Sequence, residues 1–337
     1  MALETADGFD TYAMSQLLRR HPTTVLSGGG TSIFSPGVDG VGGYYGARWL
    51  AAMVTFAVTP RLIYIVCFDL RIDLANATTV LLLRNSSNGT ICSLSVNADG
   101  SLSTSFGGSA PAGTIRANTW QSVRVKLVVD SSIGSWQVIV DGSTVVNLTG
   151  IDTGTDAIAS MNFGNSGGSW IVSVDIDNVV VFNTLGTHSN DIPLGKLSVV
   201  PLRPVADGTH RDFVPYGGGP AHFSLVNEAV ADDDTTYVKS STPGAKETYT
   251  VTPLSTLAGT AQIHGVVHGA VLRKDDLNPK VLHLLAKSGA TESEGSDYSP
   301  PLAYGWSGMV LTDDPGTGSQ WTIGGLNAAE FGEKVVI

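Results

Sequence analysis

From Trp49 onward the chain runs in short stretches that mix apolar and polar positions, each closed by Gly, Pro, Asn or Asp: LAAMVTFAVT, RLIYIVCFDLRI, TTVLLLRN, ICSLSVNADG, SLSTSF, WQSVRVKLVVD, SWQVIVDG, STVVNLTG and SVDIDNVVVFN. Period-2 alternation bounded by turn formers marks half-buried strands, and strands at this spacing predict an antiparallel sandwich. In WQSVRVKLVVD, Val123, Val125 and Leu127 share one face while Arg124 and Lys126 share the other. The first face is expected on a core and the second in water. Asp99-Gly100 and Asp141-Gly142 stand between apolar runs, and Asp-Gly supplies the positive φ that a type I′ hairpin needs. One helical stripe stands out near the start, TYAMSQLLRR, where Tyr12, Met14, Leu17 and Leu18 precede a basic end.

After VVVFNT the periodicity breaks into a Pro-rich stretch with a Gly-Gly-Gly run, LGTHSNDIPLGKLSVVPLRPVADGTHRDFVPYGGGP, which marks a domain boundary. The predicted organisation is a β-sandwich over 1–192 with a short N-terminal helix, a linker over 193–220, and a second, smaller β-sandwich over 221–337. In the last part ETYTVTPL, AQIHGVVHGAVLRK, KVLHLLAKSG and GWSGMVLT read as strands, and LNAAEFG as a short helical turn. A chain of 337 residues exceeds the size at which one core usually stops growing, so two domains are also the prior from length.

Composition narrows the function classes. Only 15% of residues are charged and 42% are apolar, so much of the surface is Ser, Thr, Asn and Gly, which suits lasting contact with other subunits. The 40 glycines follow no G-X-Y period and accompany strands and tight turns, which excludes collagen. A net charge of −11 opposes binding to phosphate backbones and argues against nucleic acid as a partner. The first twenty residues lack the pattern of a secretory signal, and the longest apolar run, LIYIVCF, is too short to span a bilayer, so no membrane insertion is expected. Cys67 and Cys92 are expected to be buried free thiols, with a disulfide between adjacent strands left open. Sequons at Asn76, Asn85, Asn88 and Asn147 read as Asn- and Thr-rich turns.

The segment WQSVRVKLVVDSSIGSWQVIVDGSTVVNLTG, followed by VDIDNVVVFNT, resembles the concanavalin-A-like or laminin-G-like jelly roll, and SPGVDGVGGYYGARWL resembles the Gly-rich approach to its first long strand. That resemblance covers about the first 190 residues and implies a fold rather than a role. DGFDTYAMSQLLRR, the tract LGKLSVVPLRPVADGTH with PAHFSLVNEAVADDDTTYVKSSTPGAKETY, and the ending DDPGTGSQWTIGGLNAAEFG together resemble tailed-bacteriophage virion proteins that join a laminin-G-like domain to a second β domain. The resemblance implies a non-enzymatic virion component assembled in the bacterial host cytoplasm, a homo-oligomer among other virion proteins. Its place would be the tail, as fibre, spike or adaptor-proximal subunit. Capsid decoration, and a lectin-like module that binds host surface polysaccharide, are the alternatives.

Candidate chemistry is sparse. Glycoside hydrolases on the concanavalin-A-like fold use paired carboxylates on one strand. Asp175 and Asp177 come nearest, but no Glu flanks them, so no catalytic residues and no cofactor are assigned. Calcium at a sandwich rim would draw on Asp141, Asp152, Asp156 and Asp177, whose loops are equally ordinary turns. His264 and His268 lie in a strand-like run where residues four apart stand some ~13 Å from one another, too far for one zinc. Asp232, Asp233 and Asp234 form the densest charge cluster, a solvated loop or a dock for a basic neighbour. Tyr44, Tyr45, Tyr304 and Trp306 sit beside glycines, where a ring can lie flat against a sugar, while Trp306 and Trp321 are favoured as core anchors of the second domain.

Overall fold

The protein is described by a computed structural model that covers residues 2–9, 17–21, 32–36, 45–49, 53–165, 172–186, 195–254 and 262–337. Two compact units divide the chain, one carried by the residues up to Val200 and the other by Pro201–Ile337. The first unit contains β1 (Ala2–Asp7), α1 (Leu17–Arg20), β2 (Ser32–Pro36), β3 (Tyr45–Trp49), β4 (Met53–Arg61), β5 (Ile63–Ile72), β6 (Thr78–Arg84), β7 (Thr90–Val96), β8 (Leu102–Thr104), β9 (Ser109–Ala110), β10 (Gln121–Val128), β11 (Gly134–Val140), β12 (Ser143–Ile151), β13 (Ile158–Gly164) and β14 (Val174–Asn183). They form two antiparallel sheets. One runs β12-β11-β10-β5-β14-β3-β2, with β1 beside the later half of β14, and the other runs β4-β13-β6-β7-β8-β9.

Inward positions follow the predicted pleat. Val123, Val125 and Leu127 of β10 and Val66, Phe68 and Leu70 of β5 are all buried. Phe163 of β13 sets its ring edge-on to Phe56 of β4 and to Phe68 of β5, 5.3 Å between centroids in each case, and so stitches one sheet to the other. Cys67 and Cys92 are free and buried. Burial pushes the Cys67 thiol up to about 12 and that of Cys92 higher still, which makes both inert. Of the predicted helix over TYAMSQLLRR, Leu17–Arg20 is helical and residues 11–16 lie outside the described ones. Arg20 and His21 both reach the Asp7 carboxylate of β1, at 2.9 and 2.7 Å. Burial by itself would raise the Asp7 pKa, but these two partners outweigh it and hold it down at about 2.

The second unit holds β15 (Pro204–Arg211), β16 (Val214–Tyr216), β17 (Tyr237–Lys239), β18 (Lys246–Val251), β19 (Val266–Leu272), β20 (Leu282–Ser288), β21 (Thr291–Glu294), β22 (Gly305–Leu311), β23 (Asp313–Asp314), β24 (Ser319–Gln320), α2 (Ile323–Ala328) and β25 (Glu330–Val335). A five-stranded antiparallel sheet, β15-β18-β25-β20-β21, is its larger layer, and two-stranded pairs β16-β17, β19-β22 and β23-β24 accompany it. Trp321, Leu326, Ala329, Phe331, Ala286 and Leu311 form the core on one face of that sheet. The stretch 193–220, predicted as a linker, supplies β15, an edge strand whose pairing with β18 is broken by two register shifts. Those irregularities erase the alternation by which a strand is recognised. Among the described residues no helix is long and apolar enough to cross a membrane.

Candidate functional site

Cross-strand neighbours on a sheet share a face, so the register fixes which side chains meet outside the sandwich. On the outer face of the larger sheet, Asp175 of β14 stands opposite Arg71 of β5, Asp177 opposite Asp69, and Asp69 in turn opposite Ser122 of β10. Arg124, two residues further along β10, belongs to the same face. This side was expected in water, yet Arg124 is only 1% exposed and Asp69, Asp175 and Asp177 are all buried. The reason lies in β5 and β14, whose outward positions are buried along with the inward ones, so the central strands are covered on both sides.

A β-bulge builds part of the cover. Between Asp177 and Val180 the pairing of β14 slips, and Asn178 takes a left-handed φ of 49°. Its side chain then donates to Asp69 Oδ2 at 3.0 Å and accepts the Val199 N–H at 2.7 Å, while its own N–H donates to Asp177 Oδ1 at 2.7 Å. The segment 195–200 is thereby held against the sheet, and the Gly195 carbonyl accepts from Arg124 Nη2.

Beside this segment opens a cleft of about 420 Å³, lined by Asp69, Trp120, Gln121, Arg124, Asp141 and Lys196 among others. Trp120 is half-buried and held from below, since the Arg71 guanidinium lies 4.9 Å from its ring centroid and is itself bound by Asp175 at 2.7 Å. Its indole N–H is shut off from solvent and meets no acceptor among the described residues. Gln121 is fixed by the Arg116 N–H at its oxygen and by Thr114 O and Asp141 Oδ2 at its amide. Burial raises the Asp69 carboxyl to about 6, and Asp177 adds to the rise against the opposing pull of Asn178, Lys196 and Arg124.

The four aspartates singled out as calcium candidates do not converge. Asp141 occupies the turn between β11 and β12, where Ser122 N, Gln121 Nε2 and Arg116 Nη2 already fill its oxygens. Asp152 follows β12, whose nine residues span roughly 30 Å, and Asp152 Oδ1 accepts the Gly154 N–H at 2.8 Å. Asp156 binds Asn85 Nδ2 at 2.7 Å, in the turn that also holds the Asn88 sequon, and Asp177 lies in the buried outer row. Among the described residues no three His, Cys, Asp or Glu side chains come together as a metal site, so these four aspartates do not gather around one ion. Asp175 and Asp177 share a face as expected, but Asp175 is committed to Arg71.

In the second unit His268 is on β19, and its Nε2–H donates to Gly332 O at 2.9 Å. His264 lies outside the strand. Asp232 caps Thr236, and Asp234 pairs with Arg273 at 2.6 Å and accepts the Tyr304 hydroxyl at 3.0 Å. Trp321 is a core anchor, 3% exposed. Trp306 is half-buried instead, flat across Gly269 and Gly308. Tyr44 lies outside the described residues.

Asp69, Arg71, Trp120, Arg124 and Lys196, which form the cleft and its support, carry no sequence motif. The one available signal was IYIVCFDLRI, a strand with Ile65 and Cys67 at its outward positions, which already says that the outer face is covered.

No family model and no curated protein matches the chain. Among solved structures, a Trypanosoma rangeli sialidase bound to 2,3-difluoro-KDN is 18% identical over 47% of this chain and 26% of its own, with a TM-score of 0.30. The chain thus spans about a quarter of that sialidase. The botulinum neurotoxin type G receptor binding domain is 10% identical over 72% of each chain, with a TM-score of 0.34. A Caenorhabditis elegans galectin is 13% identical over 39% of this chain and 90% of its own, with a TM-score of 0.28. At this level the likeness is one of all-β sandwich architecture and carries no argument about ligand or activity.

Proposed function

We propose that the first unit is a non-enzymatic carbohydrate-binding module whose ligand lies in the cleft between Trp120 and the 195–200 segment. The observation that carries the reading is Trp120, a half-buried indole braced by Arg71 at the wall of the cleft and surrounded by polar groups fixed in place. A sugar presents an apolar ring face and a rim of hydroxyls, and a cleft with one aromatic plane and a few oriented amides and carboxylates complements both. Gln121 and Asp141 are held by neighbours before any ligand arrives, so little ordering cost falls on binding. Titration of the intact protein with an oligosaccharide library tests this, with Trp120→Ala expected to abolish whatever binding is found. Turnover of a bound glycan would replace the reading with an enzymatic one.

A second reading concerns where the module works. The chain-wide resemblance to tailed-phage virion proteins and the low charge of the sequence support a homo-oligomeric particle component, tail-associated or decorating the capsid, whose glycan is host surface polysaccharide. Gold-labelled antibody on purified particles tests it, and particles without label would remove it.

A further inference from the structure

We propose that residues 213–239 form a strap against the second unit's five-stranded sheet, closed in mild acid and loosened as pH rises by charge on Glu333 beside Glu247. The strap comprises β16, a 3₁₀ turn over His222–Leu225, and β17, with three cross-strand pairs joining its two strands. Its hold on the sheet passes through one carboxylate. Glu247 of β18 is fully buried; its Oε2 accepts the Phe213 N–H at 3.0 Å and its Oε1 meets His222 Nδ1 at 2.9 Å, so the strap engages both oxygens. Around this anchor, Asp207 Oδ1 accepts the Phe223 N–H at 2.7 Å, and Phe213 and Val238 pack with Ala245 and Val335. At the far end Asp234 pairs with Arg273.

Half-buried Glu333 of β25 is the cross-strand neighbour of Glu247 and shares its face. Two carboxylates so placed ionise together only at a cost. Near the pair stand His222 from the 3₁₀ turn, Asp207 and Arg211 from β15, Tyr249 from β18 and His268 from β19; β20 brings Leu284, and Lys239 of β17 is exposed. Arg211 is drawn to Asp207 at 3.3 Å, and burial lowers the pKa of His268. Burial and the charge of Glu247 raise the Glu333 carboxyl from its ordinary 4.5 to about 8. A raised pKa in the closed state means that closure is strongest below the ordinary value, weakens as pH rises toward 8 and is level above it. Lifting the strap lets water reach Glu247 and screen it from Glu333, and this disrupts one short ribbon and one turn rather than five paired strands. The strap also carries the stacked Tyr216 and Tyr237 rings, 4.5 Å apart, so its release remodels the surface of the second unit.

Hydrogen exchange of the intact protein, read by mass spectrometry between pH 6 and pH 10 and corrected for the intrinsic pH dependence of exchange, tests this. From pH 6 to pH 9 the amides of 213–239 are expected to lose protection by about tenfold or more while those of β20 and β25 keep theirs. Glu333→Gln should hold the strap at its pH 6 protection throughout. Should that variant fail to fold, the parent's own profile decides, because a loss governed by Glu333 levels off above about pH 8 and a loss governed by another group does not. Strap protection that is equal at pH 6 and pH 9, a loss shared equally by strap and sheet, a loss that still climbs past pH 9, or a loss that persists in folded Glu333→Gln overturns the proposal.

Discussion

Asp69 is a carboxyl that folding makes harder to ionise. Its folded pKa near 6 lies above the ordinary value of 3.8, so between these two the folded chain holds more proton than the unfolded one. Stability therefore falls as pH rises through that window and is flat above it. Asp69→Asn, which keeps an acceptor for Asn178, is expected to stabilise the protein at pH 7 by roughly 1–3 kcal/mol and to change little near pH 4. Urea unfolding at both values checks this, and a variant weaker than the parent at pH 7 would show that Asp69 is held as an anion. Glu333 follows the same sign at higher pH. It is the cross-strand neighbour of the fully buried Glu247, which His222 meets at 2.9 Å, and burial with the charge of Glu247 raises it to about 8. Thermal stability is expected to decline from pH 6 to 8, and Glu333→Gln to flatten that decline; an unchanged profile contradicts the raised pKa of Glu333 beside Glu247.

At the scale of elements, the turns were the most legible. Asp141 and Gly142 both take positive φ, 47° and 80°, in the two-residue loop joining β11 to β12, the type I′ geometry that Asp-Gly predicts. Asp99-Gly100 also closes a hairpin, but only Gly100 is left-handed, and the Asn97-to-Ser101 bonds make a longer turn with a bulge in place of the type I′. Replacing Gly142 by Val forces a β-branched residue into the left-handed region and should cost about 1–2 kcal/mol, read as a fall in melting temperature. A neutral outcome would mean the turn is not type I′. The Asn178 bulge was not legible, because VDIDNVVVFN reads as one unbroken strand. Nothing local in that sequence says that Asn178 will turn outward to hold Val199. β1 and β13 escaped for a related reason, their short runs carrying weaker alternation than the strands they pair with.

At the scale of the molecule, the all-β class could be read from the pattern, since strand periodicity and turn residues are local properties. The cleft could not. It depends on Asp69, Trp120, Arg124 and Lys196, which are spread over more than a hundred residues and are brought together by the register of β5, β10 and β14 and by the return of the 195–200 segment. The alternation rule also sent Arg124 into water because it describes one strand and knows nothing of what later covers the sheet. The most direct measurement is titration of the intact chain with oligosaccharides while tryptophan fluorescence and heat are followed, in parallel with Trp120→Ala. Saturable binding with a change in tryptophan emission, lost in a folded Trp120→Ala protein, is the predicted result. Binding that survives Trp120→Ala, or no binding by the folded parent, would contradict a carbohydrate site in this cleft.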